Sequence, residues 1–282
     1  YYGDNALQLV QDNPYILVSD AIGASFQEAD TLALGHGFDD QSAERVAAAT
    51  LYELSYNAVR GHCFISYRNL LAATSQLSGV PDELVAQSVD ALVQSGALVR
   101  ERVAGCDGCY LSRLHEAEAY TAERLLAMTQ TEYRRMPDTE QIAARIEAQL
   151  GLTFADQQKE TLRLACQHQV IAITGGPGTG KTTSIRAILA LFDALKLDTQ
   201  LAAPTGRAAK RMSELTGQSA QTIHRLLEAG MSDDHQDITF RRDEDDPLDC
   251  DAVILDECSM VDISLMCALL RAMRPECRLI LV

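Results

Sequence analysis

The stretch "QVIAITGGPGTGKTTSIRAILALFDAL", residues 169–195, decides the fold. It opens on "QVIAI", an apolar, β-branched run with the pattern of a buried strand. Beyond the glycine-rich middle, Ile185, Ile188, Leu189, Leu191 and Phe192 recur at helical spacing. Between strand and helix stand Gly175, Gly180, Lys181 and Thr182, at the spacing of a P-loop. Glycines let backbone N–H groups close on phosphate oxygens, and the start of the helix adds partial positive charge. Gly176, Gly178, Thr179, Gly180 and Thr183 then line a nucleotide, Lys181 reaches its β and γ phosphates, and the Thr182 hydroxyl holds Mg²⁺. An ordinary tight turn needs neither the lysine nor the threonine.

Outward from this loop, strands are expected at 169–174, 199–203, 252–256 and 278–282, and helices at 156–167, 182–195, 206–215, 220–228 and 263–273. Such alternation predicts an α/β domain with a parallel sheet covered on both faces and functional groups at the carboxyl ends of its strands. One of those ends carries two acids: "DAVILDECSMVD" (251–262) closes a buried strand on Asp256 and Glu257. Asp256 is placed to support Mg²⁺ at Thr182, and Glu257 to orient and deprotonate an attacking water.

Residues 1–150 have a different, mainly helical pattern. "PYILVSDAIGASFQEADTLAL" (14–34) predicts two short helices around a glycine-containing hairpin. "FISYRNLLAATSQL" (64–77) and "PDELVAQSVDALVQSG" (81–96) predict two more, and "ALVRERVAGCDGCYLSRL" (97–114) predicts two strands around a turn. That order suggests a winged-helix-like unit. A long helix is expected over 115–135, with Pro137 and Asp138 as a break. The expected division is a helix-hairpin-helix-like segment (1–36), a helical, winged-helix-like region (37–136), a linker (137–152) and a P-loop domain (153–282).

The chain has 282 residues, 47% of them hydrophobic, which suits about two domains with real cores. No apolar run approaches the ~18 residues of a membrane span, and no signal peptide is visible. The chain begins at Tyr1 and ends on the strand-like "RLILV", so a segment of a longer chain is expected. Eight scattered cysteines without a secretory signal favour a reducing cytoplasm. "CDGC" (106–109) is the one C-x-x-C; with no second pair at finger spacing it is expected to decorate a hairpin turn.

A net charge of −16 weighs against nucleic acid. Its distribution weakens that objection. Residues 233–251 hold nine acids against two arginines, a solvated acidic loop, whereas "TGRAAKR" (205–211) with Arg225 makes a local basic cluster.

The motifs "ITGGPGTGKTT", "LAAPTGRAAKR", "QTIHRLL" and "VILDECSMVD", in this order, resemble motifs I, Ia, Ic and II of RecD-like superfamily 1 DNA helicases. "GDNALQLVQDNPYILV", "IGASFQEAD" and "GHCFISYRNLLAAT" are similar to the N-terminal region of the stand-alone long form of that family. The resemblance implies that Gln158, in "FADQQKETLRLA", reads adenine, with Gln157 as the alternative register. It implies that Pro204, Thr205, Gly206 and Arg207, with Thr222 and His224, hold a single-strand backbone. Such contacts position DNA without reading its sequence. Lys210 and Arg211 are expected on an ordinary basic helix face.

The resemblance also implies ATP and Mg²⁺ as cofactors, single-stranded DNA and a duplex junction as partners, and 5′-to-3′ movement in repair. No membrane partner is implied, and a monomer is expected. In "IGASF" (22–26) the family's second glycine is replaced, so packing, not duplex binding, is expected of that hairpin. Motif III and the domain that would bring an arginine finger do not follow "RLILV", so weak hydrolysis is expected of these residues alone. A nucleotide-dependent switch without motor action, or a partner-docking subunit of a nuclease–helicase complex, is the alternative.

Overall fold

The computed structural model describes residues 6–19, 22–103, 105–131, 133, 139–151, 153–176, 178–231 and 238–282. The chain divides into two compact units, one of residues 1–119 with 231–239 and one of residues 120–230 with 240–282.

In the first unit, α1 (Ala6–Asp12) leads into a 3₁₀ turn over Pro14–Val18, then α2 (Phe26–Gly35) and α3 (Ala43–Ala58). Tyr15, Phe26, Ala29, Ala33 and Ala49 form the core of this part, with the Tyr15 and Phe26 rings stacked 6.1 Å apart. Strand β1 (Phe64–Ser66), helices α4 (Tyr67–Ser78) and α5 (Asp82–Gln94), and strands β2 (Leu98–Val103) and β3 (Cys106–Leu111) follow. The strands form an antiparallel sheet in the order β1-β3-β2, and the run α3-β1-α4-α5-β2-β3 is that of a winged-helix unit. Residues 64–66, expected as the start of a helix, are therefore a strand. Phe64 and Ile65 pair with Tyr110 and Cys109, and Ser66 turns its hydroxyl to the Asn69 N–H to start α4 one residue later. The C-x-x-C pair lies along β3, beyond the turn expected for it, and burial pushes the Cys109 thiol up to about 11.

One buried clasp ties α2 to α3. Arg45 donates to both oxygens of Asp30 (2.7 and 2.8 Å) and to the carbonyls of Asp40 and Ser78, and Tyr15 Oη donates to Asp30. Burial works against ionising Asp30, but the bonds from Arg45 and Tyr15 outweigh it and hold its carboxyl below the usual range. The clasp therefore contributes fully above the unfolded carboxyl's pKa of about 3.9 and loses that contribution as pH falls through the lower folded value. Asp30→Ala strands a buried guanidinium; urea unfolding should show a loss of about 3–5 kcal/mol. A loss within error would show that solvent compensates Arg45.

Helix α6 (Ser112–Thr129) carries the chain into the second unit. There α7 (Thr139–Leu150), α8 (Asp156–Gln167), β4 (Val170–Ala172), α9 (Lys181–Ala194), β5 (Thr199–Ala203), α10 (Gly206–Thr216), β6 (Ala220–Thr222) and α11 (Ile223–Leu226) follow. Short β7 (Ala229–Met231) and β8 (Ile238–Phe240) precede β9 (Ala252–Leu255), α12 (Ile263–Ala272) and β10 (Arg278–Leu281). The main sheet is parallel throughout, in the order β4-β10-β9-β5-β6. All four residues of β9 are fully buried, as a central parallel strand requires. Ala252 and Ile254 face a core built with α7, α8 and α9; Val253 and Leu255 face the opposite core, built with α11, α12 and Met128.

Two segments differ from expectation. Residues 220–228 are not one helix: Ala220–Thr222 pair with β5 at the sheet edge, and only Ile223–Leu226 are helical. Gly217, at φ +75°, ends α10 and frees the chain to extend. Residues 139–150, assigned above to a linker, form α7, which buries Ala143 and Ile146. The acidic stretch is partly neutralised: Arg242 pairs with Glu228 and Asp246, Arg271 with Glu244, and Arg274 with Asp249. Residues 232–237 of that stretch lie outside the described residues.

Candidate nucleotide and nucleic-acid site

The loop after β4 has the backbone that its glycines imply. Gly178 and Gly180 sit at φ +77° and +90°, the left-handed region that favours glycine. A Cβ on Gly180 would stand 2.9 Å from the Gln158 amide nitrogen, so that glycine admits Gln158 to the loop. A Cβ on Gly176 or Gly178 would meet nothing within 4 Å; those backbones border open space. Thr179 braces the loop by donating its hydroxyl to the Gly176 carbonyl (2.9 Å). Pro177 lies outside the described residues. Helix α9 starts at Lys181, so the amides of Lys181, Thr182 and Thr183 fall in its first turn, where N–H groups lack helical partners.

A cavity of about 320 Å³ beside the loop is lined by Gln157, Gln158, Thr161, Thr174, Thr179 and Lys181, among others. Gln158 is held there: its Oε1 accepts from the Ala155 N–H (3.0 Å), which turns its nitrogen toward Gly180. Gln157 is exposed, although it too borders the cavity.

The acids lie two strands across the sheet from β4. The Asp256 N–H donates to the Ala202 carbonyl (3.0 Å), and Asp256 Oδ1 accepts from the Glu257 N–H (3.0 Å). Burial raises the Asp256 carboxyl above its ordinary range and the Glu257 carboxylate adds to this, while the charges of Lys181 and Arg211 pull it back. The charge of the P-loop lysine thus reaches the strand-end acid. Glu257 stands exposed at φ +54°, a left-handed backbone that costs a non-glycine residue energy and that Lys196 and Glu228 also adopt. Thr182 hydroxyl and Asp256 carboxylate offer hard oxygen donors, which fit a small dication. Among the described residues no group of three or more His, Cys, Asp or Glu side chains could hold a metal by itself.

The residues expected to hold DNA lie at the ends of the adjoining strands β5 and β6, where Ala203 pairs with Thr222. Thr205 and Thr222 cap α10 and α11, accepting from the N–H groups of Ala208 (3.3 Å) and Arg225 (3.2 Å). Each hydroxyl keeps its proton to donate outward. Gly206 and Arg207 are exposed, Pro204 is half-buried, and His224 is half-buried with its ring 5.9 Å from that of Phe240. Thr205→Ala removes one cap; a loss of about 1 kcal/mol, or roughly 2–4 °C in Tm, is expected, with Thr205→Ser close to neutral. Equal melting of all three proteins would rule the cap out.

Arg211 is exposed on α10, and its charge is among those that lower the Asp256 carboxyl, while Lys210 stands 4.0 Å from Glu214 on the same helix.

The parallel sheet, the glycine loop and the strand-end acids define a P-loop domain. Residues 158–282 match the AAA domain family and residues 1–64 the family described as the ATP-dependent RecD2 DNA helicase HHH domain. The chain is 31% identical over its whole length to the ATP-dependent RecD2 DNA helicase of Deinococcus radiodurans, of which it spans 40%. It is 35% identical over 45% of its length to the RecBCD enzyme subunit RecD of Haemophilus influenzae, and 38% identical over 39% of its length to the ATP-dependent DNA helicase dda of phage T4. Along its whole length the chain is thus similar to a RecD2 helicase, and through its P-loop domain to RecD subunits and a phage helicase. Among the described residues no helix is long and apolar enough to cross a membrane.

Proposed function

We propose that this chain holds the nucleotide-binding motor domain and N-terminal region of an ATP-dependent DNA helicase that moves 5′ to 3′ on single-stranded DNA and unwinds duplex during repair. The observation that carries this is the placement of the P-loop, the paired acids and the capped loop of Thr205 at the carboxyl ends of β4, β9 and β5 of one parallel sheet, in a chain whose relatives include the RecD2 helicase of Deinococcus radiodurans. Residues 1–36, 37–136 and 153–282 are its working segments, and a monomer in the cytoplasm is its expected form.

In this account the amides of Gly176 to Thr183 and the Lys181 ammonium take up phosphate charge. Thr182 and Asp256 would hold Mg²⁺, which would neutralise phosphate charge. Glu257 would orient a water and take its proton as the water oxygen bonds to the γ-phosphorus and the bond from that phosphorus to the bridging oxygen breaks, with ADP as the leaving group. Pro204, Thr205, Gly206, Arg207, Thr222 and His224 grip the strand backbone. The Asp256–Ala202 hydrogen bond joins the metal-holding acid to the strand leading into that grip, two residues before Pro204.

Gln158 reads adenine with its amide. Its loss removes one or two hydrogen bonds to the base and none to phosphate, so Gln158→Ala should cut the preference for a fluorescent ATP analogue over its GTP counterpart by about tenfold. Triphosphate affinity itself should change little. An unchanged preference would return Gln158 to a purely structural place over Gly180.

A further inference from the structure

We propose that the N-terminal unit docks a basic, amphipathic segment of a partner protein, and that its hairpin does not hold a DNA backbone. A hairpin grips phosphate through free amides. Here the Ile22 and Gly23 N–H groups donate to the Ser19 carbonyl (3.0 and 2.9 Å), the Ala24 N–H to the Leu17 carbonyl (3.1 Å), and the Ser25 N–H to Glu28 Oε2 (2.9 Å). Four consecutive donors are spent internally. The Ser25 hydroxyl also donates to Glu28, and these bonds hold that carboxyl below its ordinary range, so a negative charge stands where a phosphate would have to come.

Charge points the same way. Residues 1–44 contain eight Asp and Glu and no Lys or Arg, and the first cation, Arg45, is buried against Asp30. A phosphate backbone is repelled by such a segment, whereas a cationic one is drawn to it.

The same unit has a place for apolar anchors. A groove of about 430 Å³ between the 3₁₀ turn and α3 is lined by Tyr15, Ile16, Val18, Ala48, Leu51 and Tyr52, among others. Its size is that of sites that take several side chains. The Ser19 hydroxyl borders this groove, buried and with no hydrogen-bond partner among the described residues, so an incoming polar group would satisfy it. Exposed Glu44 lies on the groove's lining, and exposed Asp12 adjoins the lining residue Asn13. Helix α1, packed on the 3₁₀ turn, exposes Leu7 (71%) and Leu9 (41%). An apolar groove beside acids and exposed leucines fits a partner that alternates apolar and basic residues.

The experiment uses the full chain, a fluorescein-labelled helical Leu/Lys peptide, an all-lysine peptide and a short duplex DNA. The Leu/Lys peptide should bind about tenfold or more tighter than the all-lysine peptide, and slow amide exchange over residues 14–18 and 43–55. Glu44→Lys should weaken it by about tenfold. Asp12→Lys, at the exposed end of α1, should weaken it in the same direction and serves as the second variant if Glu44→Lys melts early. Equal binding of the two peptides, protection of these segments by duplex DNA and not by peptide, or protection by neither would overturn the proposal.

Discussion

Glu257→Gln, in the protein that bears this chain, should lower ATP turnover by about 10²–10⁴-fold while ATP affinity stays within about threefold. The amide keeps the size and the hydrogen-bonding reach of the carboxylate but cannot take a proton from water. Glu257 is exposed and its N–H is already committed to Asp256, so the exchange disturbs no core and no buried pair. The left-handed backbone at φ +54° gives an internal control. Glu257→Gly relieves that strain and should raise Tm, yet it should be as inactive as Glu257→Gln. If Glu257→Gln turned over ATP normally, the acid's place at the end of β9 would be structural and the base would lie elsewhere.

Lys181→Ala should weaken ATP by about 100-fold or more and remove turnover with it, because several charge-assisted contacts to phosphate go at once. Lys181 is half-buried at the start of α9, and its charge also tempers the raised carboxyl of Asp256. Its removal therefore lifts Asp256 further, which weakens Mg²⁺ binding at moderately acidic pH. Raising the pH should recover part of the Mg²⁺ dependence in Lys181→Ala and none of the lost phosphate contacts. ATP binding of Lys181→Ala equal to the parent's, by fluorescence titration, would separate the loop from the nucleotide.

The sequence made the second unit legible because its long elements carry strong periods. Helices α8, α9, α10 and α12 and strand β5 stand within a residue or two of expectation: α8, α9, α12 and β5 bury an apolar stripe or run, and α10 is bounded by its Thr205 cap and Gly217 stop. Strands β1 and β6 have three residues each, too few for any period to show, and β1 pairs with β3 far along the chain. Helix α7 was hidden by the Pro137–Asp138 break before it and by a sparse apolar face, Ala143 and Ile146. At the site, motif spacing put Lys181 and Thr182 after β4 and Asp256 and Glu257 after β9, at the carboxyl ends of parallel strands. It could not show the left-handed backbone of Glu257 or the use of every hairpin amide from Ile22 to Ser25. Those are set by tertiary packing and by hydrogen bonds that no spacing encodes.

Strand displacement from a duplex with a 5′ single-stranded tail tests the helicase account most directly. The account predicts ATP-dependent release of the displaced strand, little release from a blunt duplex, and none with Lys181→Ala or Glu257→Gln. ATP hydrolysis that single-stranded DNA does not stimulate, with no strand released from any tailed duplex, would contradict it and favour a nucleotide switch.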